Sequence, residues 1–225
     1  MHRSARRAVE ALGLAALILF SPPALRAQRG AGDVMPATDT VTVVPGAQYG
    51  AGWLHRLFLG TRYRDLWTTP IRVPVLDLAR YGGGLTPVRQ GGGQQTRSLR
   101  FRGADGRQYT FRSVDKDPSI ILPDDLRQTV AARLLRDQIS AGHPAGALVA
   151  APLLAAAGVL HADPQLVVMP DDPRLGEHRA AFAGVLGSIE VRPTDADDDM
   201  ASFAGALDVV STDAMLRRME NEPAV

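Results

Sequence analysis

The sequence contains no cysteine in its 225 residues and a single lysine, Lys116. The absence of cysteine excludes disulfides, thiol nucleophiles and cysteine-ligated metal sites. Aromatic residues are also few, at 5% of the chain, and both tryptophans, Trp53 and Trp67, lie in one short stretch. Two tryptophans so close together favour a core or interdomain anchor over a ligand-stacking site.

No apolar run reaches the roughly 20 residues that a membrane-spanning helix needs. The run Ala11 to Phe20 follows three nearby arginines and precedes Ser21 to Ala27, which ends in a small residue. This order predicts a signal peptide over residues 1–27, and the lack of a following cysteine excludes lipoprotein processing. We therefore expect an exported protein, periplasmic or outer-membrane associated, with no transmembrane segment in the mature chain.

An excess of charge of either sign is missing as well. Cleavage after Ala27 removes four of the 25 basic and one of the 24 acidic side chains, which leaves 21 against 23. A near-neutral chain argues against a nucleic-acid partner, because such binders carry a basic excess or stripe. Its hydrophobic content of 45% is enough for a core, and we expect a linker over residues 28–47 followed by one domain over 48–225.

The pattern of apolar residues predicts an α+β fold, with a small antiparallel sheet and packed helices. The most local signal is a hairpin, in which two alternating runs flank the Asp-Gly turn of Gly103 to Arg107. The other predicted elements are a strand at Val41 to Val44, a helix at Trp53 to Leu59, an edge strand at Ile71 to Leu78, a helix from Leu122 to Ile139, a buried helix between Ala145 and Val159 begun or broken at Pro152, a second strand pair at Gln165 to Met169 and Ala183 to Val191, and a helix after Ser211.

Two triple-glycine segments and the solitary lysine carry the best chemical signal. Gly91 to Gly93 precedes the predicted hairpin, whose second strand ends at Lys116. In kinase-like N-lobes, the amides of a glycine-rich loop cover the phosphates of ATP and a strand lysine pairs with their charge. The segment Gly91 to Thr96 departs from G-x-G-x-x-G, and Lys116 is flanked by Asp115 and Asp117. A surface lysine paired with those aspartates is therefore the alternative interpretation.

The candidate ligand-binding site follows from that arrangement. We assign phosphate contacts to the amides of three glycines, charge pairing to Lys116, and the role of helix partner of the lysine to Asp137, preferred over Asp125 and Gln138 because it lies in the helix body. The complete set is Gly91, Gly92, Gly93, Gln94, Thr96, Lys116 and Asp137.

Other kinds of site find little support in the sequence. The four histidines after residue 50 lack metal-ligand spacing, and no G-x-S-x-G segment is present. The acidic run Asp195 to Asp199 lacks the glycine and closing glutamate of a calcium loop, so it is typical of a solvated loop. No H-R-D-like or D-F-G-like segment occurs. A kinase-like N-lobe without these catalytic segments can bind phosphates but cannot transfer them.

Several blocks in order resemble an atypical, largely uncharacterised kinase-like region of large exported bacterial proteins. The blocks are Tyr63 to Trp67, Gly83 to Pro87, Gly91 to Leu99, Phe111 to Asp117, Asp137 to Pro144, Leu175-Gly176 and Glu190 to Pro193. In such proteins the region often accompanies a calcineurin-like metallophosphoesterase domain and a surface-antigen or assembly-factor-like outer-membrane barrel. The resemblance implies an N-lobe half, with the catalytic and metal-binding acids in segments that follow it in relatives, and Mg-ATP as the candidate cofactor.

Two functions are thus expected. The first is an exported module that binds a nucleotide or phosphorylated ligand and is catalytically silent by itself. The alternative is a non-catalytic envelope scaffold whose hairpin and tryptophan segment dock on an outer-membrane barrel or partner domain. The first predicts that the glycine loop, Lys116 and a helix acid converge; the second allows Lys116 to point into solvent away from any cleft.

Overall fold

The computed structural model describes residues 39–91, 95–194, 203–205 and 208–222. It is a mixed α+β fold, as the sequence predicts. The strands are β1 Thr40–Val43, β2 Ile71–Pro74, β3 Leu85–Gly91, β4 Thr96–Gly103, β5 Gln108–Lys116, β6 Gln165–Val168 and β7 Leu186–Val191. The α-helices are α1 Trp53–Leu59, α2 Arg64–Thr68, α3 Val130–Asp137, α4 Gly146–Ala156, α5 Arg179–Phe182 and α6 Thr212–Asn221. Short 3-10 turns cover Ala47–Tyr49, Tyr81–Gly83, Pro118–Ile121, Gln138–Ala141, Pro173–His178 and Phe203–Gly205.

Five strands form an antiparallel sheet in the order β3-β4-β5-β7-β6. The predicted hairpin is confirmed as β4 and β5, and the second predicted pair is confirmed as β6 and β7. Strand β3, between the two glycine segments, was not predicted; Pro87 and the bulge beside it obscure its alternation. Strands β1 and β2 form a separate two-stranded ladder, so part of the segment expected as a linker pairs with the fold.

The core occupies one face of the five-stranded sheet. Leu99, Phe101, Phe111 and Ile189 are all fully buried there. They pack against the segments before β3 and between β6 and β7, which contribute Leu76, Leu78, Tyr81, Leu175 and Phe182. Burying a phenylalanine or leucine stabilises the fold by about 1.5–3 kcal/mol, so this single cluster fixes which sheet face is covered.

The first glycine segment has a structural role at the turn of the hairpin. Gly82 has φ +56, and a Cβ atom there would lie 2.7 Å from the Tyr109 ring. The carbonyls of Gly82 and Gly84 accept hydrogen bonds from the amides of Asp105 and Ala104, both at 3.0 Å. This glycine segment therefore packs against one end of the sheet, and Lys116 lies at the opposite end.

Two expectations about the helices are wrong. Helix α3 begins only at Val130, because Thr129 caps it and turns occupy residues 123–129. Helix α4 is continuous through Pro152 and buries only Ala151, since it packs by one side. Of the two tryptophans, Trp67 is 2% exposed and anchors the core, whereas Trp53 is 76% exposed.

Among the described residues, no single helix has the length and apolarity to cross a membrane. The consecutive segments Val130–Ala141 and Gly146–Ala156, bent by 41°, pass that test only as a pair, by length and composition.

Candidate functional site

A cleft of about 560 Å³ opens between the sheet and the helical segment that follows α3. From the sheet it receives Thr96, Arg112 and Lys116, and from the helical side Gln138 and His143, with Trp67 at its base. Trp67, in α2, donates a hydrogen bond from Nε1 to the carbonyl of Gly142 at 2.8 Å, which holds the helical side of the cleft against α2. The cleft thus has a cationic sheet wall and a largely apolar helical wall.

Lys116 stands at the end of β5, with Thr96 of β4 as its register partner. Its side chain is exposed and borders the cleft; on its other side lies a second cavity of about 540 Å³ lined by Gln48, Asp115 and Arg136, among others. Among the described residues, the Lys116 ammonium forms no ion pair. A cation in such a position is available to an anion that enters the cleft.

The aspartates that flank Lys116 are bound by other side chains. The Asp115 carboxylate accepts hydrogen bonds from the Tyr49 hydroxyl at 2.5 Å and from the Gln48 amide at 3.0 Å. Asp117 pairs with Arg136 at 2.5 Å and caps the turn at Ser119. The alternative interpretation of Lys116 as the ion-pair partner of these aspartates is therefore wrong.

The expected partnership of Lys116 with Asp137 is also wrong. Arg64, fully buried in α2, binds both Asp137 oxygens, at 2.8 and 2.6 Å. His55 adds a contact at 3.0 Å, and the guanidinium also donates to the carbonyls of Gly60 and Tyr49. Asp137 joins α3 to α1 and α2 and does not line the cleft. The correct partner could not be identified from sequence because Arg64 is one of twenty-four arginines.

The carboxyl groups near the cleft are held ionised by their arginine partners. The hydrogen bond from Arg136 lowers the pKa of Asp117 to about 2, against the opposing effect of burial. The hydrogen bond from Arg64 likewise lowers the pKa of Asp137. Burial, followed by the hydrogen bond to Asp115, raises the pKa of Tyr49. Both aspartates are thus anionic at neutral pH, and Tyr49 keeps its proton.

Gly91 is the member of the second glycine segment that the structure describes. Gly91 ends β3 opposite Ser98, at the same end of the sheet as the Thr96–Lys116 pair. Gly92, Gly93 and Gln94 lie outside the described residues. After them, the Gln95 carbonyl accepts a hydrogen bond from the Asp117 amide at 2.7 Å, and Gln95 lines the cleft. Of the predicted site residues, the structure therefore brings Thr96 and Lys116 together in the cleft.

Sequence reasoning missed Arg112 and His143 as cleft residues. Arg112 is exposed between two buried strand neighbours, Phe111 and Ser113, so its outward direction follows from alternation. No sequence signal marks His143, since its place depends on how the helical segment packs on the sheet. Within the described residues, no group of three or more histidine or acidic side chains is arranged to hold a metal ion.

Comparison with known proteins returned no match. No family model, no curated protein and no solved structure matches this chain. The resemblance to a kinase-like region, the signal peptide and the export of the chain stay predictions.

Proposed function

We propose that this protein is an exported module that binds a phosphorylated small molecule or nucleotide in the cleft, with Lys116 as its main charge contact. The observation that carries the proposal is that Lys116 and Arg112 border one cleft of about 560 Å³. A volume of that size lies within the usual range for small-molecule sites. The proposed activity is ligand binding. The proposal includes that the module by itself catalyses no reaction.

The availability of the lysine supports this function. Each acid next to Lys116 in sequence is engaged by another side chain, as is the helix acid Asp137. Asp117 and Asp137 are thus paired with arginines, and Asp115 is hydrogen-bonded by two neutral groups, all without the lysine. An ammonium left in this state contributes to the binding of an anion instead of to the fold.

The polar groups around Lys116 suit a phosphate. The Thr96 hydroxyl is on the adjoining strand position, and Gln95 and Gln138 add amide groups to the cleft. Gly91, where β3 ends, lies at this end of the sheet. Apolar atoms of Ile139, Pro144 and Leu148 on the opposite wall would cover a base or another flat group.

Calorimetric titration with Mg-ATP, ADP and pyrophosphate tests the proposal. Lys116→Ala should weaken binding about ten-fold or more, because a hydrogen bond to a charged group contributes about 1.5–3 kcal/mol. Arg80→Ala is the matched control, since that exposed arginine pairs with Asp77 outside the cleft. No binding by the wild type, or equal affinity in the Lys116 variant, would contradict the proposal.

A second candidate function, docking on an envelope partner, is favoured by helix α1. Trp53, Leu54, Leu57 and Phe58 of this seven-residue helix are all exposed, and no residue of the helix is buried. A contiguous patch of exposed apolar side chains is typical of a site that binds another protein or a membrane. We therefore keep the scaffold as the alternative, with an outer-membrane barrel or a metallophosphoesterase domain as the proposed partner.

Co-sedimentation with bacterial outer-membrane vesicles separates this candidate from the first. Docking on a barrel predicts that wild-type protein sediments with the vesicles and that Trp53→Ser with Phe58→Ser abolishes this. Liposomes made from the extracted lipids of the same vesicles are the control. Equal sedimentation with both would exclude a protein partner, and none with either would exclude barrel docking.

A further inference from the structure

The sheet face opposite the core carries a cluster of arginines that the cleft only partly uses. Strand alternation places Arg100, Arg102 and Arg112 on this face, since their strand neighbours Leu99, Phe101 and Phe111 are buried on the other. Arg89 joins them as the register partner of Arg100, and Arg192, next after β7, donates a hydrogen bond to the Gln108 side chain at 2.8 Å. We call this set the arginine face; its members are Arg89, Arg100, Arg102, Arg112 and Arg192.

Within the part of the chain that the structure describes, few acidic side chains compensate the charge of the arginine face. Arg89 and Arg100 lie directly opposite each other on β3 and β4. Like charges in directly opposite positions destabilise a strand pair. Among the described residues of this face the only acid is Glu190, which contacts Arg112 at 3.3 Å. The described residues offer no ion pair to Arg89, Arg100 or Arg102.

Arg100 lies at the centre of the face, where burial and neighbouring positive charges act on it together. Burial and then the positive charges of Arg192, Arg89 and Arg112 lower the pKa of Arg100. Side chains of Ser98 and Thr110, both buried beside these arginines, provide hydroxyl groups between the cations. An arrangement of this kind costs stability in the free protein and is relieved when anions bind.

The arginine face continues into the cleft through Arg112, which belongs to both. From the Arg89–Arg100 pair to Lys116, the surface extends on the order of 20 Å along β5 and about 10 Å across the strands. One phosphate group cannot contact cations spread over such distances. A linear ligand with several phosphates in series can contact them simultaneously.

We infer that the ligand of the cleft is a linear, multiply phosphorylated anion, whose terminal phosphate contacts Lys116 and whose further phosphates lie along the arginine face. The inference rests on the proposed phosphate site of the cleft for that terminal contact. A soluble phosphate polymer fits better as the ligand than the phosphates of a membrane surface do. The reason is that part of the contact lies inside a cleft between the sheet and residues 138–148. Arginine also suits this task, since its planar guanidinium binds phosphate oxygens in pairs.

Titration calorimetry with pyrophosphate, tripolyphosphate and long-chain polyphosphate tests the length of the contact. Affinity for the wild type should rise along this series, and the salt dependence should steepen with it, as more counterions are released. Arg89→Gln combined with Arg100→Gln should weaken long-chain binding about ten-fold or more and lower the slope of log K against log salt by about 2. The same variant should leave pyrophosphate binding unchanged, whereas Lys116→Ala should weaken it.

The variants remain interpretable because their folding can be followed separately. Removing two repelling cations should retain or raise the urea midpoint of the Arg89/Arg100 variant. Arg80→Gln is the matched control for loss of one exposed positive charge. An affinity that does not depend on chain length, or an arginine variant that binds long chains as wild type does, would overturn the inference.

Two further outcomes distinguish the extended contact from binding in the cleft alone and from binding to a lipid surface. Pyrophosphate binding that depends on Lys116, without any gain for longer chains, would retain the proposed cleft function and overturn only the extended contact. Arginine-dependent binding to phosphatidylglycerol vesicles, with no binding of soluble polyphosphate, would overturn the inference in favour of a lipid surface.

Discussion

Arg64 and Asp137 form the most buried ion pair among the described residues, and it connects three helices. Arg64 is 0% exposed, and its guanidinium donates four hydrogen bonds, two to Asp137 and two to backbone carbonyls. The sequence identified Asp137 as an important helix acid, but it assigned the wrong cation. Which of the two cations, Lys116 or Arg64, pairs with Asp137 depends on which one the fold buries. Neither position alone indicates in the sequence that it will be buried.

Asp137→Asn should destabilise the protein by about 3 kcal/mol, because it leaves a buried guanidinium without its carboxylate. Urea unfolding followed by circular dichroism measures this loss. Asp65→Asn is the control, since the Arg56–Asp65 pair is largely exposed, and its loss should cost about 0.5 kcal/mol or less. Equal losses in the two variants would show that the buried pair does not carry the stability assigned to it.

Asp117 predicts a dependence of stability on acid. Its pKa is about 2 in the folded protein and 3.8 ordinarily, so its contribution is present above the ordinary value and is lost as pH falls towards 2. The stability difference between wild type and Asp117→Asn should therefore be largest at neutral pH and shrink between about pH 4 and pH 2. Urea midpoints across this range provide the measurement, and a difference that is independent of pH would contradict the assignment to the Arg136 pair.

Hairpins were the elements that sequence predicted best. The β4–β5 turn is specified by local Asp-Gly chemistry, and the alternation of its strands correctly separates core positions such as Phe111 from outward ones such as Arg112. The pairing of β5 with β7 joins residues more than seventy positions apart. No local signal specifies such a partner, because it results from burial of both strands against one core.

Gly187 shows how closely these long-range partners pack. It lies in β7 between Ser113 and Val167, and a Cβ atom there would lie 2.2 Å from the Phe111 ring and 2.5 Å from the Arg112 carbonyl. Gly187→Ala should thus destabilise the sheet by about 2 kcal/mol through overpacking.

Chemical unfolding compares this variant with Gly52→Ala. Gly52 precedes α1, and no atom lies within 4 Å of a Cβ placed there. Its substitution should change stability by only a few tenths of a kcal/mol, about the ordinary effect of a surface change. If both variants unfold at the wild-type midpoint, the close approach of β5 and β7 is contradicted.

At the scale of the whole molecule, the two tryptophans report on opposite environments. Trp67 packs edge-on against Tyr49 with ring centroids 4.7 Å apart, while Trp53 lies on the exposed face of α1. Trp53→Phe should leave a blue-shifted emission that iodide quenches weakly. Trp67→Phe should leave a red-shifted emission that iodide quenches strongly, with lower stability because the bond to Gly142 is lost.

The quenching experiment also tests the candidate scaffold function. If α1 docks on an outer-membrane barrel, Trp53 emission will become less quenchable when outer-membrane vesicles are added. Quenching that is equal for the two single-tryptophan variants would contradict the described difference in burial.

The sequence by itself determined the α+β class, the two strand pairs and the capped terminal helix, because each follows from local periodicity or turn chemistry. Only the tertiary structure decided that Asp137 serves Arg64, that the acids beside Lys116 are already bound, and that five arginines share one sheet face leading into the cleft. These relations join residues from separate elements. They depend on which surfaces the core covers, and that selection is made by the packing of the whole chain.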